Sequence, residues 1–224
     1  MRCLRAVCVF ACCVMPGFGT IITGVFVPPS GDLGVSNTYS NATFSGWSIV
    51  AKAFSPGCTS SCPDLFGKAG GAGETGVGLT NDPTGEEETT PGSFIELDLI
   101  IFKTSDPSIK LSPSSVLAIT MNSTTGGEAF KISQSGTSGV FGTTCSVSTP
   151  CWTGTSNGSV TISPTLRFLD ITSTAGNVLL SSITFDDGGG GGQAAPEPLS
   201  LGLTGLGLVA IYFARRRRGG GHTR

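Results

Sequence analysis

The stretch FIELDLIIF, residues 94–102, is the clearest indicator of the fold in this 224-residue sequence. Its first half alternates apolar and acidic residues, and its second half is wholly apolar. Alternation with a period of two predicts a β-strand with one buried face, and a short apolar run bounded by turn residues also favours a strand. The stretch therefore predicts one long β-strand.

Shorter runs of the same kind recur through the middle of the chain. Clusters of Gly, Pro, Ser, Asn and Thr separate them and supply turns. No window sustains the 3.6-residue apolar period of a long helix. The pattern predicts an all-β domain over residues 20–187, an antiparallel β-sandwich of jelly-roll type. The other predicted strands are 47–54, 116–121, 129–132, 166–171 and 178–185.

The N-terminal end has the features of a secretory signal peptide. Arg2 and Arg5 precede nine uncharged residues, 6–14, and small or turn-forming residues follow up to Gly19. A charged start, an apolar middle and small residues before the cleavage point define such a signal. We therefore expect residues 1–19 to form a signal helix that engages the secretion translocon and is removed after Gly19.

The C-terminal end carries a second apolar segment. Residues 188–195 begin with five glycines, which is typical of a flexible linker. Residues 199–214 contain no charge, and a helix of these 16 residues would span about 24 Å, short of the roughly 30 Å of a bilayer core. The arginines that follow would stay on the cytoplasmic side. The pattern predicts a short transmembrane helix at 199–214 and a cytoplasmic tail at 219–224; a permanent single-pass anchor is one interpretation.

A second interpretation rests on three elements in order: a Pro-Glu-Pro motif, the apolar helix and an arginine cluster. Together, over residues 196–218, they resemble the PEP-CTERM sorting signal of exported bacterial proteins. The resemblance implies recognition by an exosortase, a membrane-embedded enzyme that cuts near the Pro-Glu-Pro motif. The sorting residues it implies are Pro196, Glu197, Pro198, Arg215, Arg216, Arg217 and Arg218.

Part of the middle domain, residues 31–99, also resembles a recurrent β-sandwich domain of PEP-CTERM proteins. The similarity lies in the D-L-G sequence that starts at Asp32, the L-F-G-K segment at 65–68 and the glycine-rich E-T-G-V-G-L turn at 74–79. The resemblance implies an exported β-rich domain and assigns no biochemical role to it.

The charge of the middle region argues against nucleic-acid binding. Residues 20–195 contain six basic and fourteen acidic side chains, a net charge of −8, whereas the whole chain has −2. A domain this acidic has no basic stripe to neutralise phosphates. We therefore expect no nucleic-acid partner.

Four of the eight cysteines lie outside the N-terminal signal: Cys58, Cys62, Cys145 and Cys151. Pairing within each close couple, 58 with 62 and 145 with 151, is the simplest of the three possible connectivities. A four-cysteine zinc site is the competing interpretation, but the spacing lacks the usual C-x₂-C pairs and an exported compartment is oxidising. We expect disulfides and no metal site at these cysteines.

Residues 69–92 form an acidic, glycine-rich stretch that predicts one long loop. Its oxygen-bearing side chains resemble calcium ligands in type, but the ordered ligand pattern of a calcium loop is absent. A solvated run of charge is the preferred interpretation. The candidate calcium ligands are Asn81, Asp82, Glu86, Glu87 and Glu88.

The sequence gives little support for an enzyme. The single histidine, His222, lies beyond the arginine cluster, which excludes histidine-based chemistry from the predicted outer domain. A carboxylate pair for glycoside hydrolysis remains as an alternative. Glu96 and Asp98, two apart on a strand, are expected to face solvent together. The carboxylates available are Glu74, Glu96, Asp98 and Asp170.

Three aromatic side chains are candidates for stacking against a sugar: Tyr39, Trp47 and Trp152. Trp47 begins an alternating strand, so core packing is the preferred interpretation for it, whereas Trp152 lies at a predicted turn beside a cysteine. The small number of aromatics predicts no continuous stacking platform.

These observations lead to one functional hypothesis and one alternative. We expect an exported structural or adhesive protein of the cell surface or extracellular matrix, without enzymatic activity, cofactor or metal, sorted and cleaved by an exosortase and associated with extracellular polysaccharide. Before cleavage it would be anchored in the inner membrane. The alternative is a carbohydrate- or calcium-binding β-sandwich module at the cell envelope.

Overall fold

A computed structural model of the chain describes residues 19–56, 62–70, 74–80, 88–122, 127–142, 145–155 and 157–188. The chain divides into two compact units, Met1–Gly190 and Gly191–Arg224, and all described residues belong to the first. The predicted signal helix and the predicted helix at 199–214 lie outside the described residues. Within those residues, no helix combines the length and the hydropathy that a membrane span requires.

Fourteen strands and two short 3₁₀ turns make up the described fold, which confirms the all-β prediction. The 3₁₀ turns are Ala42–Phe44 and Pro113–Ser115. The strands are β1 Ile21–Val25, β2 Gly31–Gly34, β3 Ser36–Tyr39, β4 Trp47–Phe54, β5 Leu65–Ala69, β6 Thr75–Leu79, β7 Phe94–Lys103, β8 Asp106–Lys110, β9 Val116–Asn122, β10 Ala129–Ser135, β11 Trp152–Thr155, β12 Gly158–Thr161, β13 Phe168–Ala175 and β14 Leu179–Asp186.

The strands form two seven-stranded antiparallel sheets. Sheet I has the order β12-β9-β14-β6-β5-β2, with β1 also paired to β14. Sheet II has the order β11-β10-β13-β7-β4-β3, with β8 also paired to β7. Within these, β6-β14-β9-β12 and β7-β13-β10-β11 have the strand order of a jelly roll, because most consecutive strands cross from one sheet to the other.

The core lies between the two sheets and explains why the alternating runs become strands. Alternate residues of β7, namely Ile95, Leu97, Leu99 and Ile101, are fully buried against apolar side chains of both sheets. Burying one such side chain stabilises the fold by about 1.5–3 kcal/mol. The intervening residues of β7 therefore point to the outer face of sheet II, away from the core.

The predicted strand positions are largely confirmed, but the prediction of a single loop over residues 69–92 is wrong. Strand β6, Thr75–Leu79, lies inside it and pairs with β5 and β14. Glycine occupies alternate positions of β6, at 76 and 78, so only two apolar residues remain to indicate a strand. Glycine is required at Gly76, where an added Cβ would lie 2.6 Å from the backbone oxygen of Leu180.

Candidate functional site

The predicted sorting residues, from Pro196 to Arg218, lie outside the described residues, which end at Gly188. The described residues do show where the last strand, β14, ends relative to the first strand, β1. The Thr20 amide donates to Asp187 Oδ1 at 2.7 Å, and the Asp187 amide donates to the Thr20 carbonyl oxygen at 3.1 Å. Strands β1 and β14 run antiparallel from that point, with Ile21 opposite Asp186. The first and last strands of the sandwich therefore begin and end side by side.

One of the predicted disulfides is present. Cys145 and Cys151 are bonded, with their Cα atoms 5.3 Å apart, and close a loop between β10 and β11. Cys62 is also disulfide-bonded, while Cys58 lies outside the described residues. The three described cysteines, Cys62, Cys145 and Cys151, are thus all disulfide-bonded.

The four candidate carboxylates separate into three environments. Glu74 lies 3.5 Å from Lys68 Nζ, at the end of β5. Asp98 accepts two hydrogen bonds from the Arg167 guanidinium, at 2.9 and 2.6 Å, on the outer face of sheet II. Only Glu96 and Asp170 come together, because they are directly opposed on the adjacent strands β7 and β13.

Glu96 and Asp170 are both fully buried, so the prediction that Glu96 faces solvent is wrong. Glu96 does point away from the core, but residues 136–142, which follow β10, lie over it. We call residues 136–142 the cover segment. Its Ser138 hydroxyl donates to Glu96 Oε1 at 2.5 Å and its Gly139 amide donates to Glu96 Oε2 at 2.6 Å.

Asp170 contacts the cover segment as well. Its Oδ2 accepts a hydrogen bond from the Gly142 amide at 3.0 Å. Its Oδ1 is buried and has no hydrogen-bond partner among the described residues. Burial raises the pKa of Asp170 to about 7, the negative charge of Glu96 adds to the increase, and the Gly142 amide and the Ser135 hydroxyl oppose it.

A small pocket lies on the same outer face, next to the carboxyl pair. It is lined by Phe94, two residues before Glu96 on β7, and by Thr172, two residues after Asp170 on β13. It has a volume of about 160 Å³, and Phe141 is also among the residues that line it. Phe94 contacts Phe141 of the cover segment at a centroid distance of 5.2 Å and Phe54 at 5.4 Å. The pocket is a small apolar recess, and the buried carboxylates do not line it.

In the acidic stretch before β7, the one candidate calcium ligand that the structure describes is not exposed to solvent. Glu88 is buried and accepts a hydrogen bond from Lys68 Nζ at 2.6 Å. Burial alone would lower the pKa of Lys68, but Glu88 and Glu74 together raise it. The other candidate calcium ligands, Asn81 to Glu87, lie outside the described residues. Within the described part of the chain, no three His, Cys, Asp or Glu side chains cluster as metal ligands would.

The three aromatic candidates do not form a stacking surface. Tyr39 is buried and meets the ring of Phe26 edge-on, and burial raises the pKa of Tyr39 to about 12. Trp47 is buried in the core, as preferred from the sequence. Trp152 is half-buried and packs against the core.

Sequence reasoning missed the Glu96–Asp170 pair and the segment that covers it. The signal for the pair would have been two acidic residues, each in the middle of a strongly apolar strand. No family model matches this chain, and comparison with curated proteins and with solved structures finds no match.

Proposed function

We propose that this chain is an exported structural or adhesive protein of the cell surface or extracellular matrix, sorted by an exosortase. The observation that carries the proposal is the order of Pro-Glu-Pro motif, apolar segment and arginine cluster at 196–218, directly after a folded domain. The last strand of that domain ends at Asp186, ten residues before Pro196. Five glycines in the intervening residues are typical of a flexible linker, which would let a membrane enzyme reach the motif.

Two features of the described fold support export. The Cys145–Cys151 disulfide suits an oxidising compartment. The domain is an antiparallel sandwich, and its described residues form a hydrophobic core that is continuous across both sheets. Both features fit a domain that reaches the envelope through the secretion translocon, is held in the inner membrane as a precursor and is then released near extracellular polysaccharide.

A role without catalysis fits the geometry better than a carboxylate glycosidase. Glycoside hydrolysis needs two carboxylates that reach the substrate. Glu96 and Asp170 are the only candidate pair that the described residues bring together, and both are fully buried beneath the cover segment. We therefore propose a binding or structural role for the outer domain.

The sorting proposal is tested by the intact mass of the protein from its native host. We expect the wild-type chain to end near residues 196–198, and a variant with Pro196→Ala, Glu197→Ala and Pro198→Ala to keep its arginine tail. Replacement of Ser200 and Thr204 by Ala is the matched control, because it alters the same region but leaves the motif intact. A wild-type chain that still ends at Arg224 would overturn cleavage and leave a single-pass anchored sandwich.

A second candidate function is carbohydrate binding at the envelope. It is favoured by a surface recess of about 440 Å³ where Pro28 and Pro29 face the residues Asn37, Thr38 and Asn41. Amide and hydroxyl groups beside apolar rings are the groups that orient sugars in proteins. Melting temperature measured with a glycan panel and with Ca²⁺ tests it: a rise that Asn37→Ala abolishes supports binding here, and an unchanged melting temperature throughout contradicts it.

A further inference from the structure

The buried carboxyl pair is the part of the structure that the proposed function does not use. Glu96 and Asp170 together accept three hydrogen bonds from the cover segment, from Ser138, Gly139 and Gly142. These bonds fasten the segment to the outer face of sheet II. The pair is therefore the attachment point of the cover segment.

Among the described residues, the pair has a positively charged neighbour at Glu96 but not at Asp170. Lys52 on β4 lies 3.9 Å from Glu96 Oε1 and 3.2 Å from the Ser138 hydroxyl. The ion pairs formed by the described residues do not include Asp170. Asp170 thus has a carboxylate as its neighbour on β7 and, among the described residues, no cation that compensates its own charge.

The other charged groups on this face form no ion pair with Glu96 or Asp170 among the described residues. Asp98 on β7 is paired with Arg167. Lys131 on β10 lies 5.9 Å from the ring centre of Phe141. The cover segment, residues 136–142, contains no titratable side chain. The response of this face to pH is therefore assigned to Asp170, which has the negative charge of Glu96 as its neighbour.

A bound cation would be an alternative way to balance the pair, but the surroundings disfavour it. The carboxylate oxygens already face the amides of Gly139 and Gly142 and the hydroxyl of Ser138, which are hydrogen-bond donors. Ca²⁺ and Mg²⁺ require oxygen ligands that point lone pairs at the metal. A cation at the pair would therefore meet these N–H and O–H groups instead of further oxygen ligands.

We propose that loss of a proton from the Glu96–Asp170 pair releases the cover segment. The closed segment excludes water from Asp170, so a second negative charge beneath it is costly. Opening hydrates the carboxylate and removes that cost. The segment is then held most firmly in acid and opens more often as the pH rises towards neutrality, exposing Phe94 beneath Phe141.

The pH dependence of opening follows from the different pKa values of Asp170 in the closed and open states of the cover segment. The closed state raises the pKa of Asp170 to about 7, and hydration returns it towards its ordinary value near 4. The closed state is fully favoured below about pH 4 and loses this advantage as the pH rises to about 7. Over that range the opening equilibrium rises by up to about tenfold per pH unit, and above it the equilibrium levels off.

Amide hydrogen exchange in the full chain between about pH 4.5 and 8.5 tests the proposal. Protection of the Gly139 and Gly142 amides, corrected for the intrinsic exchange rate at each pH, is expected to fall up to about tenfold per unit and then become constant near pH 7. Asp170→Asn is expected to give a pH-independent profile. Asp98→Asn is the matched control, since it removes a carboxylate from the same face without touching the cover segment, and it should keep the wild-type profile.

Two results would overturn the proposal. The first is wild-type protection that does not change with pH, which decides the matter even where Asp170→Asn fails to fold. The second is the same slope in Asp170→Asn as in the wild type. Glu96→Gln provides a further check, because it removes the neighbouring charge and should move the levelling point to lower pH.

Discussion

Glu96 and Asp170 face each other across β7 and β13 on the outer side of sheet II, and neither side chain reaches solvent. Two carboxyl groups placed in this way are unfavourable for a sheet unless other groups satisfy them. Here the backbone amides of Gly139 and Gly142 each satisfy one oxygen of the pair, whereas Asp170 Oδ1 has no hydrogen-bond partner among the described residues. Global stability should therefore depend on the same pair that fastens the cover segment.

The first prediction concerns the pH dependence of unfolding. Because folding raises the pKa of Asp170 to about 7, the folded state binds its proton more tightly than the unfolded chain does. The contribution of Asp170 to stability is present below about pH 4 and is lost as the pH rises through 7. Asp170→Asn should match the wild type near pH 4 and exceed it by roughly 2–4 kcal/mol at pH 8 in urea unfolding. Parallel curves for the two proteins would contradict this assignment.

A second prediction concerns the Cys145–Cys151 disulfide. Six positions separate the two cysteines, so the bond closes a short loop. Replacing both with Ser should lower the free energy of unfolding by about 2 kcal/mol, since a short loop restricts the unfolded chain only modestly. Urea unfolding of the double Ser variant beside the wild type, both without reductant, provides the measurement. Reductant is left out because it would also break the disulfide of Cys62. Equal stability of the two proteins would show that the loop is unimportant to stability.

A third prediction concerns Gly76 in β6. A Cβ at this position would lie 2.6 Å from the carbonyl oxygen of Leu180, which belongs to the neighbouring strand β14. Gly76→Ala should therefore destabilise the fold by about 1–3 kcal/mol. Gly136→Ala is the control, because a Cβ there meets no atom within 4 Å. Thermal melting of both variants should separate them, and equal melting temperatures would contradict the close approach of β6 and β14.

A fourth prediction is a small effect at the Asp98–Arg167 pair. The two side chains form a double hydrogen bond, but Arg167 is 54% exposed. Exposed ion pairs of this kind contribute about 0–1 kcal/mol. Arg167→Ala should therefore cost no more than about 1 kcal/mol at low salt, and salt should reduce the difference further. A loss of several kcal/mol would indicate that Arg167 supports the face in a way its contacts do not explain.

The alternating apolar pattern was enough to locate the long strands, because each places one row of side chains in the core. Strand β4 begins and ends where the sequence predicted, and β7 differs by one residue. The sequence did not reveal β8, whose five residues are all exposed, because such a strand has no buried row. It missed β6 because Gly76 and Gly78 leave only Val77 and Leu79 to carry the apolar alternation in a glycine-rich stretch.

The candidate site was harder to predict than the fold for a different reason. Whether Glu96 reaches solvent depends on a segment that begins 40 residues later in the chain and carries no charge of its own. Its glycines supply backbone donors, which leave no mark in a pattern of side-chain types. Pairing between β7 and β13 likewise joins residues 70 to 76 positions apart. Local patterns do not encode such contacts.

The adjacency of Thr20 and Asp187 also sets how the domain would respond to mechanical load. Its first and last strands are antiparallel neighbours, and Thr20 and Asp187 are hydrogen-bonded to each other at the point where β1 begins and β14 ends. A force that pulls Thr20 and Asp187 apart would break the hydrogen bonds between β1 and β14 one after another, starting at Thr20. The same bonds would share the load if the force acted along the strands. A domain tethered through Asp187 alone would avoid the weak direction, because no opposing pull would act on its first strand.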